Sequence, residues 1–142
     1  MATADLRSLM PDPMLLPPRE APYLLGAAYE LVDEGFREEL IFDWGDSNLV
    51  VRVDGDTDTL NAEFRAQPFA ASKAYSNVSA CPPWDRFVGK ECDWTWVALN
   101  KQGYCDLFVL SFDAVLPQVL LHALTSSIEV FTIAQERQKG HG

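Results

Sequence analysis

Carboxylates are the most abundant residues in this chain that could do chemistry. The 142 residues include 21 Asp and Glu against 11 Lys and Arg, so the formal net charge at pH 7 is −10. Eleven of the acids, with only two arginines, fall between residues 30 and 63. Such a concentration of negative charge repels nucleic acids and anionic membranes, and it speeds encounter with basic proteins. The sequence therefore predicts a basic protein partner, although a solvated face that binds nothing would carry the same charge.

The candidate partner-binding residues are acids that fall in predicted turns or on the polar side of predicted strands. They are Glu30, Asp33, Glu34, Glu38, Glu39, Asp43, Asp46, Asp54, Asp56 and Asp58. We predict a binding face rather than an active site, because no pair of these acids is singled out by its spacing. A hydrolase that uses two carboxylates remains an alternative, since spacing alone does not exclude it.

Motifs for metal binding and catalysis are incomplete. The run Asp54-Gly55-Asp56-Thr57-Asp58 begins like a calcium loop, but an EF-hand needs Gly at its sixth position and Glu at its twelfth, where this chain has Thr59 and Arg65. Its two histidines, His122 and His141, lie in no recognisable catalytic or metal-binding motif. No phosphate-binding loop, dinucleotide fingerprint or G-x-S-x-G motif is present. We therefore predict no cofactor, no metal and no enzymatic activity.

The cysteines and the apolar segments indicate a cytoplasmic protein. Cys81, Cys92 and Cys105 are odd in number and lack C-x-x-C spacing, so we expect small buried side chains in a reducing compartment rather than disulfides. No apolar segment is long enough to span a membrane. Prolines interrupt the apolar residues near the start, which excludes the apolar core of a signal peptide.

The clearest structural element is a β-hairpin over residues 93–112. Asn100 and Gly103 bracket a tight turn in which Gly103 takes the left-handed conformation. If Asn100 lies opposite Tyr104, the register places large apolar residues on both faces of the hairpin. The expected pairs are Trp96 with Phe108, Trp94 with Leu110, Val97 with Leu107 and Thr95 with Val109. Two apolar faces indicate central strands that are covered on both sides.

The acidic half reads as an antiparallel meander. Alternating patterns predict strands over residues 24–33, 39–44, 48–54 and 57–64, separated by turns rich in Gly, Asp and Asn. Residues 127–134 predict another strand, whereas residues 119–124 fit either a helix or a strand. Residues 67–83 are predicted to form a loop that could hold one helical turn at 70–75. Short helical turns also fit residues 5–10 and 83–89, the last with Trp84 and Phe87 on the core.

These elements predict one domain of mainly β structure, α+β at most. Six to eight strands would form an antiparallel sheet curled into a sandwich or partial barrel, with one or two short helical turns. Five of the nine prolines lie within residues 1–22, which we expect to form an arm that either lies along the domain or moves freely. The domain would occupy residues 23–135, and residues 136–142 would be a frayed polar tail.

A small acidic β-rich chain without catalytic motifs resembles the bacterial immunity proteins, which neutralise the toxins of competing cells. This resemblance implies a non-enzymatic protein that binds and blocks a toxin. The segments DWTWVALNKQGYCDLFVLSF and LTSSIEVFTI, in the last third of the chain, also resemble small uncharacterised bacterial β-rich proteins. That second resemblance implies no activity.

The alternative function is a small enzyme or ligand-binding domain with a pocket near Trp84, Trp94 and Trp96. Two tryptophans at alternate positions of one strand could stack a sugar or a base. Large aromatic residues on one strand face form a core more often than a ligand platform, so we expect Trp94 and Trp96 to be buried.

Overall fold

The computed structural model describes residues 16–134, which form nine β-strands and a single 3-10 turn. The strands are β1 (Ala27–Asp33), β2 (Phe36–Asp43), β3 (Asn48–Asp54), β4 (Thr59–Arg65), β5 (Tyr75–Asn77), β6 (Cys92–Leu99), β7 (Cys105–Phe112), β8 (Val119–Leu124) and β9 (Ser127–Thr132). The 3-10 turn spans Trp84–Arg86, within the predicted helical turn at 83–89. No helix among residues 16–134 is long and apolar enough to cross a membrane.

Two antiparallel sheets form a sandwich. Sheet 1 has the order β4-β3-β2-β1-β5, and sheet 2 has the order β6-β7-β8-β9. The prediction of a mainly β antiparallel fold is confirmed, although the strands number nine within the described residues rather than six to eight. The ambiguous segment 119–124 is strand β8. The segment 67–74 is a loop, as predicted for this region, but it holds no helical turn at 70–75 and leads instead into the short edge strand β5. The helical turn expected at 5–10 lies outside the described residues.

The core lies between the inner faces of the two sheets. Alternate residues of each strand point inward, so the apolar members of the alternating patterns meet in one cluster. Its fully buried side chains include Leu40, Phe42, Leu49 and Val51 of sheet 1 and Phe108, Leu110, Leu121 and Ile128 of sheet 2. Trp84 of the 3-10 turn packs edge-on against Phe42 in this core. The two sheets are therefore joined by burial of apolar surface.

The β6–β7 hairpin has the predicted turn but not the predicted register. The amide of Asn100 donates to the carbonyl of Tyr104 at 2.8 Å, and Gly103 has a φ of 87°. Beyond the turn, a β-bulge leaves Asp106 as an extra residue on β7. The observed pairs are Trp96 with Val109, Trp94 with Ser111, Val97 with Phe108 and Thr95 with Leu110. The four predicted pairs are therefore wrong by one residue, because the bulge shifts the register.

Strand β6 lies at the edge of sheet 2 rather than at its centre. Its Trp94 is 51% exposed, whereas Val97 on the opposite face packs against the core. The prediction that both hairpin strands are covered on both sides is wrong for β6. The prediction that Trp94 is buried is wrong for the same reason, since its face of the sheet points away from the core. Trp96 is half-buried and stacks on Trp94 with ring centroids 6.4 Å apart.

Residues 16–22, the described part of the arm, lie along the domain. The Arg19 guanidinium donates to both carboxylate oxygens of Asp46 at 2.9 Å and lies 3.9 Å from the centre of the Tyr23 ring. The Tyr23 hydroxyl donates to the carbonyl of Pro17 at 2.5 Å. The Arg19 hydrogen bond is the main reason that the pKa of Asp46 is lowered. One arginine thus ties the arm to the β2–β3 turn.

Candidate functional site

Two acidic hairpin turns lie side by side at one end of sheet 1. In the β1–β2 hairpin, Glu34 and Gly35 have φ values of 50° and 84°, the left-handed pair that a tight two-residue turn requires. The β3–β4 hairpin turns between Asp54 and Thr59. Alternate turns of a meander fall at the same end, and adjacent hairpins are about 10 Å apart because strands are spaced by about 4.8 Å. We call the six carboxylates of these hairpins the acidic end: Asp33, Glu34, Glu38, Asp54, Asp56 and Asp58.

No carboxylate of the acidic end forms an ion pair with another residue of the described segment, 16–134. The hydrogen bonds that they accept come from neutral backbone amides. Asp54 accepts from the amide of Asp56 at 3.0 Å, and Asp58 accepts from the amide of Ser126 at 2.7 Å. The carboxylates that resemble the start of a calcium loop therefore order the turns, and their negative charges are not neutralised by a basic neighbour there.

The acidic end is held in place by the β8–β9 turn of the other sheet. Ser126 has a φ of 64°, and its hydroxyl donates to the carbonyl of Gly55 at 3.0 Å. A Cβ atom on Gly55 would lie 3.1 Å from the Ser126 Oγ, so a larger residue there would have to displace the Ser126 side chain by a few tenths of an ångström. Together with the bond from Ser126 to Asp58, these contacts fix the β3–β4 turn against sheet 2.

Arg37 is the basic residue of the β1–β2 hairpin, and its side chain is already engaged. Its Nε donates to Glu30 at 2.8 Å, and its Nη1 donates to the carbonyl of Ile128 at 2.7 Å. Its backbone amide donates to the Ser127 hydroxyl at 3.0 Å. Arg37 therefore joins the two sheets and neutralises Glu30, so it does not offset the charge of the acidic end.

Apolar surface adjoins the acidic end. Val32 and Phe36 belong to the β1–β2 hairpin and are 47% and 44% exposed, respectively. Exposed aromatic side chains beside charged groups are typical of protein interfaces, in which an apolar centre is surrounded by a polar rim. The hairpin thus offers both kinds of contact in one rigid element.

Four of the ten predicted binding residues lie elsewhere. Glu30 is on the inner side of sheet 1 with Arg37, as described. Glu39 is on the outer face, 3.3 Å from Arg52, and accepts from the Tyr75 hydroxyl at 3.2 Å. Asp43 and Asp46 belong to the opposite end of the sheet, around the β2–β3 turn. The structure therefore brings together six of the ten acids and separates the other four.

An open groove of about 430 Å³ runs between the arm and the start of β6. Leu16, Arg19, Asp93 and Trp94 are among the residues that line it. Trp84, which we predicted to lie near Trp94 and Trp96 in one pocket, is 3% exposed and belongs to the core. The three tryptophans therefore do not line a common pocket, and the groove is an open trough beside Trp94.

Three carboxylates meet at the groove in a group that could hold a cation. Carboxylate oxygens of Glu91, Asp93 and Asp113 all lie within 4.8 Å of one another, and oxygen ligands suit Ca²⁺ and Mg²⁺. Burial, followed by the charges of Asp93 and Asp113, raises the pKa of Glu91. This group was not predicted from the sequence, because Asp113 is distant along the chain from Glu91 and Asp93. The signal was available, since the hairpin places Cys92 opposite Phe112 and so brings the flanking acids together.

The remaining candidate residues form no catalytic arrangement within residues 16–134. His122 Nε2 lies 3.7 Å from Asp106 Oδ2, and no hydrogen bond joins this histidine to a serine or cysteine of the described chain. Cys92 and Cys105 are buried as predicted, but Cys81 is exposed, so that prediction is wrong for one cysteine of three. All three are free thiols.

Residues 24–137 match the model of a known protein family. The chain belongs to DUF6334, a family of unknown function. No curated protein and no solved structure matches it. The DUF6334 match spans all nine strands, and it includes both the acidic end and the carboxylate group at the groove.

Proposed function

We propose that this DUF6334 protein is a non-enzymatic binding protein that docks a basic protein partner through the acidic end. The observation that carries this proposal is the grouping of six carboxylates on two adjacent hairpins, with no basic partner for them among residues 16–134. Unneutralised charge at one end of a molecule accelerates encounter with a surface of opposite charge.

The proposed partner has a basic surface around an apolar contact. Its basic groups face the carboxylates, and its apolar surface receives Phe36 and Val32, which are exposed in the same hairpin. The acidic end needs little ordering on binding, because Ser126 and Arg37 already fix both hairpins against sheet 2. A preformed surface loses less conformational entropy when it binds.

The partner class that we propose is a bacterial toxin, which the protein neutralises in the manner of an immunity protein. A toxin that acts on a nucleic acid carries a basic active site, and an acidic surface is complementary to such a site. We place the protein in the cytoplasm, and its three free thiols support a reducing compartment.

The proposal is tested with the purified product of the reading frame beside this gene in the source genome. We expect the double variant Glu38→Lys, Asp56→Lys to lower the association rate constant by about tenfold and to flatten its dependence on salt, because steering depends on the charges of the acidic end. Stopped-flow or surface-based kinetics at several ionic strengths would measure both effects.

The matched control is the double variant Glu20→Lys, Asp85→Lys. It makes the same change in net charge at two exposed acids that lie outside the acidic end. The control should bind nearly as fast as the wild type. Equal association rates for the two double variants would contradict the proposal, and so would failure of the neighbouring protein to bind at all.

The alternative of a small enzyme or ligand-binding domain has weaker support. Its best location is the groove beside Trp94, where the carboxylates of Glu91 and Asp93 converge. However, Arg19, the basic group at that groove, is held by Asp46, and Trp84 lies in the core. The groove therefore offers an acidic, open trough rather than the deep pocket that a small-molecule site usually has.

A further inference from the structure

The edge of sheet 2 that β6 forms differs from the other sheet edges of the described chain. Those edges are β4 and β5 in sheet 1 and β9 in sheet 2. An unpaired edge can bind another strand, so edges are usually protected by charged residues, by proline or by being short. β4 carries Glu63 and Arg65, β9 carries Glu129, and β5 has only three residues. Residues 94–99 of β6, Trp-Thr-Trp-Val-Ala-Leu, have none of these protections.

The backbone of β6 presents hydrogen-bonding groups at regular intervals along this edge. The amide of Asn100 donates to the carbonyl of Tyr104, so the backbone of Asn100 faces β7. Backbone groups alternate in direction along a strand, and the bulge next to the turn lies on β7, so it leaves the alternation of β6 intact. We call the residues whose amides and carbonyls face away from β7 the free edge: Thr95, Val97 and Leu99. Among residues 16–134, no backbone hydrogen bond reaches the free edge from outside the hairpin.

The chain just before β6 already accepts an antiparallel segment on the same edge. Leu24 forms an antiparallel bridge with Glu91, and the amide of Cys92 donates to the carbonyl of Tyr23 at 2.9 Å. The arm then turns away to the β2–β3 turn, and the groove of about 430 Å³ opens between the arm and the first residues of β6. In the described part of the chain, the edge beyond this point is therefore open to another strand.

The carboxylate group at the groove gives the open edge a negative end. Glu91, Asp93 and Asp113 form no ion pair with another described residue. Arg19 lines the same groove, but its guanidinium is held by Asp46. A basic side chain that entered the groove would therefore meet carboxylates that no basic residue of the described chain neutralises.

We propose that the free edge and the adjoining groove bind an extended basic segment of another protein, which adds to sheet 2 as an antiparallel strand. Backbone pairing of this kind supplies affinity without requiring a deep pocket. In the antiparallel direction, which Leu24 already takes opposite Glu91, the C-terminal end of the segment lies at the groove. The segment therefore carries Lys or Arg near its C-terminal end, facing the carboxylate group. Trp94, which is 51% exposed at the groove, supplies an apolar contact.

A synthetic peptide tests this proposal without the neighbouring protein, so its result is independent of docking through the acidic end. The probe is acetyl-Thr-Val-Thr-Val-Lys-Lys-amide, and the control peptide has Glu in place of each Lys. Neither contains tryptophan, so titration follows the fluorescence of Trp94 and Trp96 over the constant signal of the buried Trp44 and Trp84. We expect saturable binding of the basic peptide alone. No saturable binding up to millimolar concentration, or equal binding of both peptides, would overturn the proposal.

Amide hydrogen exchange, followed by nuclear magnetic resonance, tests the backbone pairing directly. In the protein alone, the amides of the free edge should exchange faster than those of Trp94 and Trp96, which face β7. The basic peptide should slow exchange along the free edge. Exchange there that the bound peptide leaves unchanged would place the peptide elsewhere and overturn the proposal. Protection that rises with protein concentration without peptide would also overturn it, because a second copy would then cover the edge.

The variant Thr95→Pro removes one donor from the free edge. The Thr95 amide faces away from β7, so this change costs the hairpin no hydrogen bond. Affinity for the basic peptide should fall about tenfold, the effect of one lost hydrogen bond. The matched control Thr95→Val keeps the amide and should bind as the wild type does. Equal affinities of the two variants, both folded by circular dichroism, would contradict the proposal. If Thr95→Pro does not fold, the exchange experiment on the wild type decides.

The variant Asp93→Asn tests the contribution of the carboxylate group. Binding of the basic peptide should weaken about threefold at low salt, as expected for one exposed ion pair, and depend less on salt. The matched control is Asp85→Asn, which makes the same change at an exposed residue of the 3-10 turn. The control should bind as the wild type does. Equal weakening by both variants would show that the overall charge attracts the peptide, and would overturn the proposed contact at the groove.

Discussion

The three cysteines of the chain differ sharply in their surroundings. Cys81 is exposed, whereas burial raises the pKa of Cys92 to about 12 and also raises the pKa of Cys105. The thiolate is the reactive form of cysteine, so a raised pKa and a buried sulfur both slow its reactions. We expect one thiol per chain to react rapidly with Ellman's reagent at neutral pH, and the other two to react only on unfolding.

The variant Cys81→Ser identifies the reactive thiol. It should remove the fast phase and leave the two slow thiols unchanged. A fast reaction of two or three thiols in the folded wild type would show that Cys92 or Cys105 is more accessible than the structure indicates.

Glu91 links stability to pH. Its pKa is raised in the folded protein, chiefly by burial and then by the charges of Asp93 and Asp113. An acid with a raised pKa binds its proton more tightly in the folded state, so its ionised form opposes folding at neutral pH. We expect Glu91→Gln to raise the melting temperature at pH 7, and this advantage to disappear as the pH falls through the raised pKa towards the unfolded value of about 4.3.

Thermal unfolding measured between pH 3 and pH 7 would test this effect, because that pH range includes the ordinary pKa of a glutamate, about 4.3. Glu20→Gln is the control, because it makes the same change at an exposed glutamate outside the group of three carboxylates. A Glu91→Gln variant that is less stable than the wild type at pH 7 would contradict the proposed repulsion among the three carboxylates.

At the scale of elements, Arg37 joins the β1–β2 hairpin to β9. Its hydrogen bonds to Glu30 and to the carbonyl of Ile128 are partly buried. Removal of a hydrogen bond to a charged group costs about 1.5 to 3 kcal/mol, so Arg37→Ala should lower the free energy of unfolding by that amount. Arg37→Lys should recover only part of the loss, because an ammonium group does not reproduce the planar arrangement of donors.

Urea denaturation would measure both variants. The comparison is Arg52→Ala. The Arg52 side chain is 42% exposed and forms surface ion pairs with Glu39 and Glu63. Such pairs contribute less than about 1 kcal/mol. Equal losses for Arg37→Ala and Arg52→Ala would show that the two sheets are not joined through Arg37.

Most strands and turns of the fold could be predicted from local patterns, but the short edge strand β5 and the register of the β6–β7 hairpin could not. Alternation and the Asn100 turn fix where strands begin and end, since both depend on residues close in sequence. The bulge at Asp106 depends on how β7 packs in its sheet, and no residue type marks it. The exposure of Trp94 likewise depends on whether another layer covers that face of sheet 2, and the residues of the hairpin do not predict this.

The acidic end could be predicted in part. Alternate turns of a meander lie at the same end of the sheet, so the predicted strands already place the β1–β2 and β3–β4 turns, with their carboxylates, side by side. The position of Glu30 and Glu39 outside the acidic end could not be predicted. It depends on ion pairs to Arg37 and Arg52, which form only when strands are paired and the sheets are packed.

At the scale of the whole molecule, the acidic end and the carboxylate group at the groove occupy different parts of the sandwich. The acidic end consists of two hairpins of sheet 1, whereas Glu91, Asp93 and Asp113 lie beside the paired ends of β6 and β7 in sheet 2. The docking surface proposed at the acidic end and the groove are therefore separate sites.

The order in which the contacts can form follows from the sequential hairpins. Within each sheet most neighbouring strands are also neighbours in sequence, and a hairpin closes in about 1–10 μs. The contact between Arg37 and Ile128 instead joins residues 91 positions apart. Contacts of this kind carry the largest loop-closure cost and form late in folding. The hydrogen bonds that fix the acidic end against sheet 2 should accordingly govern how slowly the native sandwich opens rather than how fast it folds.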